Sequence, residues 1–260
     1  MVGFFIKKAF FDGWDNLIGL VVHNLGFLLV FVGAYGGMSL MAIDGYSVVG
    51  IIALVIISAV YSFYCAVVSW QTCLYADYKR EGFRALKEGF SRLWRHGVLH
   101  FFINTALILI VFFVLPFYFL QNTTLAFIFG MFVFWVFVIV GLAMQYFFPL
   151  ACRMSGDRPM KTFRKCFILL ADNLGFSLFL IFHGIISGVL SLVLVGLTPG
   201  TGGILLSRQV AVKLLMFKYD YLEEHPETDR KHIPWEDLLF DEREKVGHRS
   251  IKNMIFPWKD

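Results

Sequence analysis

Charged residues are scarce in this chain of 260 residues. Asp, Glu, Lys and Arg together make up 16% of it, and hydrophobic residues make up 58%. Soluble domains usually have about 25% charged and about 45–50% apolar residues, so the polar side chains here are too few to cover a water-soluble fold. The composition therefore excludes an ordinary soluble domain. We expect the lipid bilayer, and no nucleic acid, as the partner of most of the surface.

Cysteine and catalytic motifs are also lacking. The four cysteines have no CxxC spacing and lie in or beside apolar segments, so we expect reduced thiols, no disulfide and no zinc site. There is no Walker motif, no HExxH pair and no cluster of aspartates suited to Mg²⁺. The sequence thus predicts no catalytic residues, no cofactor and no metal.

Long stretches without any charge locate the predicted membrane spans. These stretches are residues 16–43, 45–76, 96–152 and 173–207. A helix needs roughly 20 apolar residues to cross the hydrocarbon, so the third stretch holds two spans. The runs are continuous and lack the period-two alternation of a barrel strand. The sequence predicts an all-α membrane protein whose domain, residues 1–218, has six transmembrane helices near 16–36, 47–69, 98–120, 125–149, 169–195 and 200–218.

The sixth span is the least apolar, because it contains Arg208 and Lys213. The alternative is a five-span protein in which this segment is an amphipathic surface helix. Lys and Arg number two, six and five in residues 1–15, 77–95 and 153–168, and the intervening loops have none. Basic segments stay in the cytoplasm, and six spans keep the eight basic residues from Lys218 onward there as well. We therefore expect six spans and two cytoplasmic termini.

Part of the sequence is repeated. The motif K-x-A-F-x-x-x-W at residues 7–14 recurs as K-x-G-F-x-x-x-W at residues 87–94. Ten residues after each tryptophan comes an asparagine, and a looser third copy places its asparagine ten residues after a phenylalanine (Asn24, Asn104 and Asn173). Each unit begins with an amphipathic helix at the cytoplasmic interface. We expect three repeated helical hairpins, with Trp14 and Trp94 as interface anchors at headgroup depth.

Polar residues inside the predicted spans are the candidate functional residues, because they are costly in hydrocarbon. Six of them recur at similar depth and would ring a polar cavity open to the cytoplasm: His23, Asn24, His100, Asn104, Asp172 and Asn173. The alternative, favoured for the asparagines, is hydrogen bonding between helices. We expect Asp172 to pair with Lys213. Arg208 has no evident acidic partner in the sequence.

Two further features concern packing and the carboxyl-terminal segment. Small residues four apart predict close helix packing at Gly33, Gly37, Gly184 and Gly188. Residues 219–260 contain eleven acidic and seven basic residues and form a charged cytoplasmic tail. We expect the tail to fold back on the interface helices; the alternative is that it docks a partner in a membrane complex or in the cytoplasm.

The sequence resembles the YesL-like bacterial membrane proteins. The resemblance rests on N-L-G-F at residues 24–27, K-E-G-F…W at residues 87–94 and Asn173, and it covers roughly residues 5–215. The chain has residues 33–37, with a glycine at each end, where that family has a stretch rich in proline and alanine. The resemblance implies a six-helix protein of the bacterial inner membrane, sometimes associated with carbohydrate uptake, and it carries over no catalytic residues.

Three functions remain open from the sequence. The leading one is a non-enzymatic accessory or scaffold of a membrane complex. The second is a small-molecule transporter or permease subunit, which predicts that Asp172, Lys213 and Arg208 line a cavity instead of pairing. A membrane-embedded lipid-modifying enzyme ranks last, because the acidic residues and histidines are scattered along the chain.

Overall fold

The computed structural model describes residues 1–227, 229–230, 233–247 and 249. These residues form an all-α membrane-type protein, as the composition predicts. The helices are α1 (Val2–Asp15), α2 (Leu17–Met41), α3 (Ser47–Ala76), α4 (Phe83–Leu109), α5 (Leu115–Leu120), α6 (Thr124–Met144), α7 (Phe147–Arg153), α8 (Pro159–Asp172), α9 (Leu174–Val193), α10 (Gly200–Glu224), α11 (Trp235–Leu238) and α12 (Phe240–Val246). A π-helical segment, Ile110–Val114, joins α4 to α5 just before Pro116, whose missing N–H disturbs the α-helical hydrogen bonds there.

Five helical segments of the described chain are long and apolar enough to cross a bilayer. They are Leu17–Met41, Ser47–Ala76, Arg84–Leu120, Thr124–Arg153 and Leu174–Val193. They correspond in order to the first five predicted spans, and their outer surfaces display large apolar side chains that suit lipid, such as Leu29, Val32, Phe112, Phe132 and Leu192. The sixth predicted span, residues 200–218, lies in α10, which is not among these five.

Helix α10 lies inside the helix bundle. It packs against α1, α2, α3 and α9, and most of its residues between Gly200 and Leu215 are buried. A helix that faces other helices needs less apolar surface than one that faces lipid, because its polar groups can bond to protein. This position explains why α10 tolerates Arg208 and Lys213.

The turn between α9 and α10 reaches only part of the way along α2. The Nδ2 of Asn24 donates to the carbonyls of Leu197 (2.9 Å) and Pro199 (2.9 Å), and its Oδ1 accepts from the N–H of Gly202 (2.8 Å). Asn24 lies about 10 Å from the start of α2 and about 25 Å from its end, at 1.5 Å per residue. Helix α10 therefore begins well inside the length of α2, and the α9–α10 hairpin is shorter than α2–α3.

A single asparagine thus satisfies backbone groups that the turn leaves without helical partners. Irregular backbone at membrane depth is tolerated where protein surrounds it, since unpaired carbonyls and N–H groups are costly in lipid. Asn24 is 1% exposed and provides both an acceptor and a donor to the turn. Its role is structural, and it does not face the predicted cavity.

Asparagines also mark two changes of helix direction. Asn16 ends α1 and Asn173 ends α8; each donates from Nδ2 to the carbonyl four residues earlier, at 2.8 Å and 3.2 Å. Both belong to a D-N-L triplet, residues 15–17 and 172–174. The sequence alignment above matched Asn173 with Asn24, but the structure gives Asn173 the same position as Asn16. The second copy has no such break, because α4 runs continuously from interface to span.

The predicted small-residue packing divides between two helix pairs. A Cβ placed at Gly33 or Gly37 would lie 3.1 Å from Ile57 or 2.9 Å from Leu54, so these glycines allow α2 and α3 to approach closely. A Cβ placed at Gly184 or Gly188 would meet no atom within 4 Å among the described residues. The prediction that Gly184 and Gly188 allow another helix of this chain to pack closely against α9 is therefore wrong.

Gly200 is the residue of the short hairpin that tolerates a side chain least. Its φ is +57°, and a Cβ would lie 2.3 Å from the Cγ of Asn24. We expect Gly200→Ala to lower the free energy of unfolding by about 2 kcal/mol, through backbone strain and displacement of Asn24. Gly184→Ala is the matched control and should not lower the free energy of unfolding, because Gly184 has open space for a Cβ and a helix interior favours alanine over glycine. Equal unfolding curves for the two variants in detergent would refute this account of the turn.

Candidate functional site

The predicted ring of polar residues does not form. Asn24 bonds the α9–α10 turn, and His100 contacts α3 through its Nδ1, 3.0 Å from the Oγ of Ser62. Asn104 donates to the Oγ of Ser58 at 3.5 Å. These contacts are the interhelical hydrogen bonds that were the alternative interpretation, and within the described residues none of them joins Asn24 to His100 or Asn104.

Asp172 and Lys213 do not pair with each other. The Oδ2 of Asp172 lies 3.0 Å from the Nζ of Lys218 and accepts from the hydroxyl of Tyr219 at 2.6 Å. Asn173 joins the same group, accepting from Lys218 at 2.9 Å. The predicted Asp172–Lys213 pair is therefore wrong: one further turn of α10 brings Lys218, not Lys213, to the level of Asp172.

Lys213 instead belongs to a largely buried group of ionisable residues, the ion cluster, in which α1, α10, α12 and the ends of α3 and α7 meet. Its acidic members are Asp12, Asp77 and Glu242, its basic members are Lys8, Lys213 and Arg153, and Tyr78 lies among them. Lys8 is completely buried, and Asp12 and Glu242 are each 3% exposed. Charges this deeply buried persist only where others compensate them.

Glu242 connects the two lysines of the ion cluster. Its Oε1 lies 3.0 Å from the Nζ of Lys213, and its Oε2 lies 3.2 Å from the Nζ of Lys8. Lys8 also donates to the hydroxyl of Tyr78 at 2.7 Å and lies 2.9 Å from the Oδ2 of Asp12. Lys213 reaches the Oδ1 of Asp77 at 3.1 Å, which also lies 3.3 Å from Arg153. The cluster therefore joins segments from both ends of the chain.

The tail is held against the bundle at further points. Leu239 and Val246 are buried in the same core as Phe5 and Phe11 of α1. The Nη1 of Arg249 binds both carboxylate oxygens of Asp15, at 2.8 and 2.9 Å. The described part of the tail thus folds back on α1, as the sequence analysis favoured, and does not extend away from the domain.

Arg208 differs from every member of the ion cluster. It makes no hydrogen bond or ion pair within the residues that the structure describes, and its guanidinium is close enough to Tyr61 and Cys65 of α3 to interact with them electrostatically. An arginine among helices without a carboxylate partner is uncommon.

Trp14 and Trp94, the predicted interface anchors, are both largely exposed. Trp14 stacks on Phe10, with ring centroids 6.5 Å apart, and Arg95 lies over the ring of Trp94. Tryptophans at both membrane interfaces characteristically sit with the ring at headgroup depth. Their role as anchors stays a prediction, since the contacts of the chain alone do not place the headgroups.

The sequence analysis missed most of the ion cluster. It singled out Lys213 but not Lys8, Asp12, Asp77 or Glu242, since only tertiary packing brings these segments together. One signal was present: Lys8 and Asp12 are four apart on one face of α1, which is the spacing of an ion pair within a helix. Glu242 has no such signal, because it lies in a tail where acidic residues are common.

Within the described residues, no group of three or more His, Cys, Asp and Glu side chains is arranged to hold a metal ion. Comparison of the chain with protein-family models, with curated proteins and with solved structures finds no match. The contacts and charges of this chain are therefore the basis for proposing its function.

The stability of the protein should depend on pH through Asp12. Burial raises the pKa of Asp12 to about 6, above its usual 3.8, even though Lys8 lies beside it. The folded protein then binds a proton before the unfolded chain does, so the contribution of Asp12 to stability rises as pH falls from about 7 to about 4. We expect Asp12→Asn to remove this slope in unfolding curves measured between those pH values. The exposed control Asp241→Asn should keep it; a slope unchanged in Asp12→Asn would contradict the assignment.

Glu242 should be necessary for the folded-back tail. Replacing it with glutamine removes the charge that compensates both Lys8 and Lys213, and we expect a loss of about 2–3 kcal/mol in the free energy of unfolding. Limited proteolysis should then cut the tail faster. The matched control is Glu244→Gln, an exposed residue of the same helix. Equal cleavage rates in the two variants would show that the ion cluster does not hold the tail.

Proposed function

We propose that this chain is a non-enzymatic accessory or scaffold protein of the bacterial inner membrane. In this proposal the end of the bundle that contains the ion cluster faces the cytoplasm, together with both termini. The count of Lys and Arg in the segments at this end supports that orientation through the positive-inside rule. The resemblance to YesL-like proteins supports a location in the bacterial inner membrane.

The observation that carries the proposal is that the buried ionisable groups pair with one another and do not face a passage. A transporter needs charged groups facing a passage, but Lys213, Asp77 and Glu242 bond to one another. Asp172 is likewise occupied by Lys218 and Tyr219. The ion cluster attaches the tail to the bundle, and the outer face of the attached tail stays exposed at the charged end, which suits binding of another protein.

The outer face of α11 and α12 is the best surface for that partner. Phe240 is 66% exposed there, in a segment whose other exposed side chains are mostly acidic: Glu236, Asp237, Asp241 and Glu244. An aromatic side chain surrounded by carboxylates suits a partner with an apolar pocket and a basic rim. A protein of a membrane complex and a cytoplasmic protein both remain within this proposal.

The second candidate is a small-molecule transporter or permease subunit, and two observations favour it. Arg208 lies between helices without a carboxylate, and α10 begins part of the way along α2. In many secondary transporters, helices that start near the bilayer midplane build the substrate site. If the chain were such a subunit, Arg208→Gln would abolish uptake in cells or in proteoliposomes and leave the fold intact.

Site-specific cross-linking tests the accessory function. We would place a photoreactive amino acid at position 240, irradiate bacterial cells that express the full chain, and purify it in mild detergent. The expected result is one stoichiometric companion cross-linked at position 240. This cross-link should be lost when Asp237 and Asp241 are replaced by asparagine, because the two carboxylates then no longer bind the basic rim of the partner. The control position is 182, since Phe182 is similarly exposed on α9. A chain without any specific companion at 240 would overturn the proposal.

A further inference from the structure

A cavity of about 700 Å³ opens at the charged end, between the α1–α2 junction, α3 and the α3–α4 loop. It belongs neither to the ion cluster nor to the tail. Its wall is mainly apolar and includes Ile18 and Val22 of α2 and Leu86 of α4, while its rim has Arg80 and Glu81. An apolar wall below a charged rim is the pattern of a site for an amphiphile.

His23 indicates that this cavity is a binding site. The residue is 6% exposed and lines the cavity, and its ring makes no hydrogen bond to any residue that the structure describes. The nitrogens of the ring are not fully enclosed by protein, so they face the open space of the cavity. Within the apolar wall, the ring is a hydrogen-bonding group available to a ligand.

Gln71 of α3 also has a side-chain atom without a hydrogen-bond partner among the described residues. Its Nε2 donates to the hydroxyl of Tyr75 (3.2 Å) and the carbonyl of Glu81 (2.6 Å), but its buried Oε1 has no partner among the described residues. Two side chains that line one cavity, His23 and Gln71, are therefore incompletely satisfied by the described residues. Gly19 allows Tyr75 to pack closely against α2, since a Cβ there would lie 2.3 Å from the hydroxyl of Tyr75.

The charges at the rim identify the headgroup. Arg80 donates one guanidinium N–H to the carbonyl of Asp15, at 2.9 Å, and its other N–H groups remain available for a phosphate. The amino end of α2, the positive end of its dipole, also borders the cavity and favours an anion. Glu81 is exposed beside Arg80 and offers an acceptor for a cation. The carboxylate of Asp15 already binds Arg249.

We propose that this cavity binds one glycerophospholipid with a zwitterionic headgroup that carries a primary ammonium, such as phosphatidylethanolamine. Its phosphate lies at Arg80 and the start of α2, and its ammonium lies at Glu81. An ester carbonyl accepts from the ring of His23, about 10 Å along α2 from the rim. The acyl chains follow Ile18, Val22 and Leu86 toward the bilayer. This proposal stands independently of the accessory function.

Native mass spectrometry of the intact chain in detergent tests the site. The lipid probes are dioleoyl phosphatidylethanolamine, phosphatidylcholine and phosphatidylglycerol, each added at the same concentrations. Phosphatidylcholine has no ammonium N–H and phosphatidylglycerol has no cation. We expect one phosphatidylethanolamine per chain, bound about tenfold more tightly than either of the others.

Variants locate the binding. Val22→Trp fills the cavity and should weaken phosphatidylethanolamine binding about tenfold or more, whereas Val32→Trp on the same helix lies outside the cavity and should not. Arg80→Gln should weaken binding of all three lipids, and the exposed control Arg84→Gln should weaken none. Thermal unfolding checks that each variant is folded. Equal affinity for the three lipids, or binding unchanged by a folded Val22→Trp, would overturn the proposal.

Discussion

The placement of the tail and the interface helix depends on the need to compensate charge in the ion cluster. Lys8 has no contact with water, and Glu242, Asp12 and Lys213 are nearly as enclosed. Removing charges from water is unfavourable by several kcal/mol each, so each group is tolerable only while the others stay within ion-pair distance. Because the members come from α1, the end of α3, α7, α10 and α12, this condition aligns five segments at once. The core residues around them, such as Leu239 and Phe5, then pack in one arrangement.

A second constraint acts at membrane depth, where the backbone of the α9–α10 turn has no water to bond. Asn24 meets it with one amide that accepts from α10 and donates to two carbonyls of the turn. Helices α2, α3 and α9 pack against α10, and α7 contacts it as well, which is why a helix too polar to be a lipid-facing span lies within the bundle. The two constraints are related, since α10 starts at Asn24 and contributes Lys213 to the ion cluster.

The functional groups can be sorted by whether their bonding capacity is used. Asp172, Lys213 and Glu242 are occupied by one another or by close neighbours, so they hold the structure together. His23, part of Gln71 and Arg208 are not satisfied by the described chain, and these are where a ligand would gain most. The lipid proposal uses His23, and the transporter alternative uses Arg208. The accessory function rests on the exposed face of α12, which is separate from all of them.

The sequence alone determined the class of protein and its first five spans, because hydrocarbon thickness sets the length of an uncharged helix and such stretches can be read directly. The sequence also contains the D-N-L triplets at the two helix junctions, although the first of them lies outside the repeat that pairs Asn173 with Asn24. Tertiary structure decided the sixth span and the ion pairs. Whether residues 200–218 face lipid or protein depends on the neighbouring helices, and the partner of Lys213 depends on which carboxylates packing brings within 4 Å. Glu242 and Lys8, from opposite ends of the chain, meet only in the folded protein.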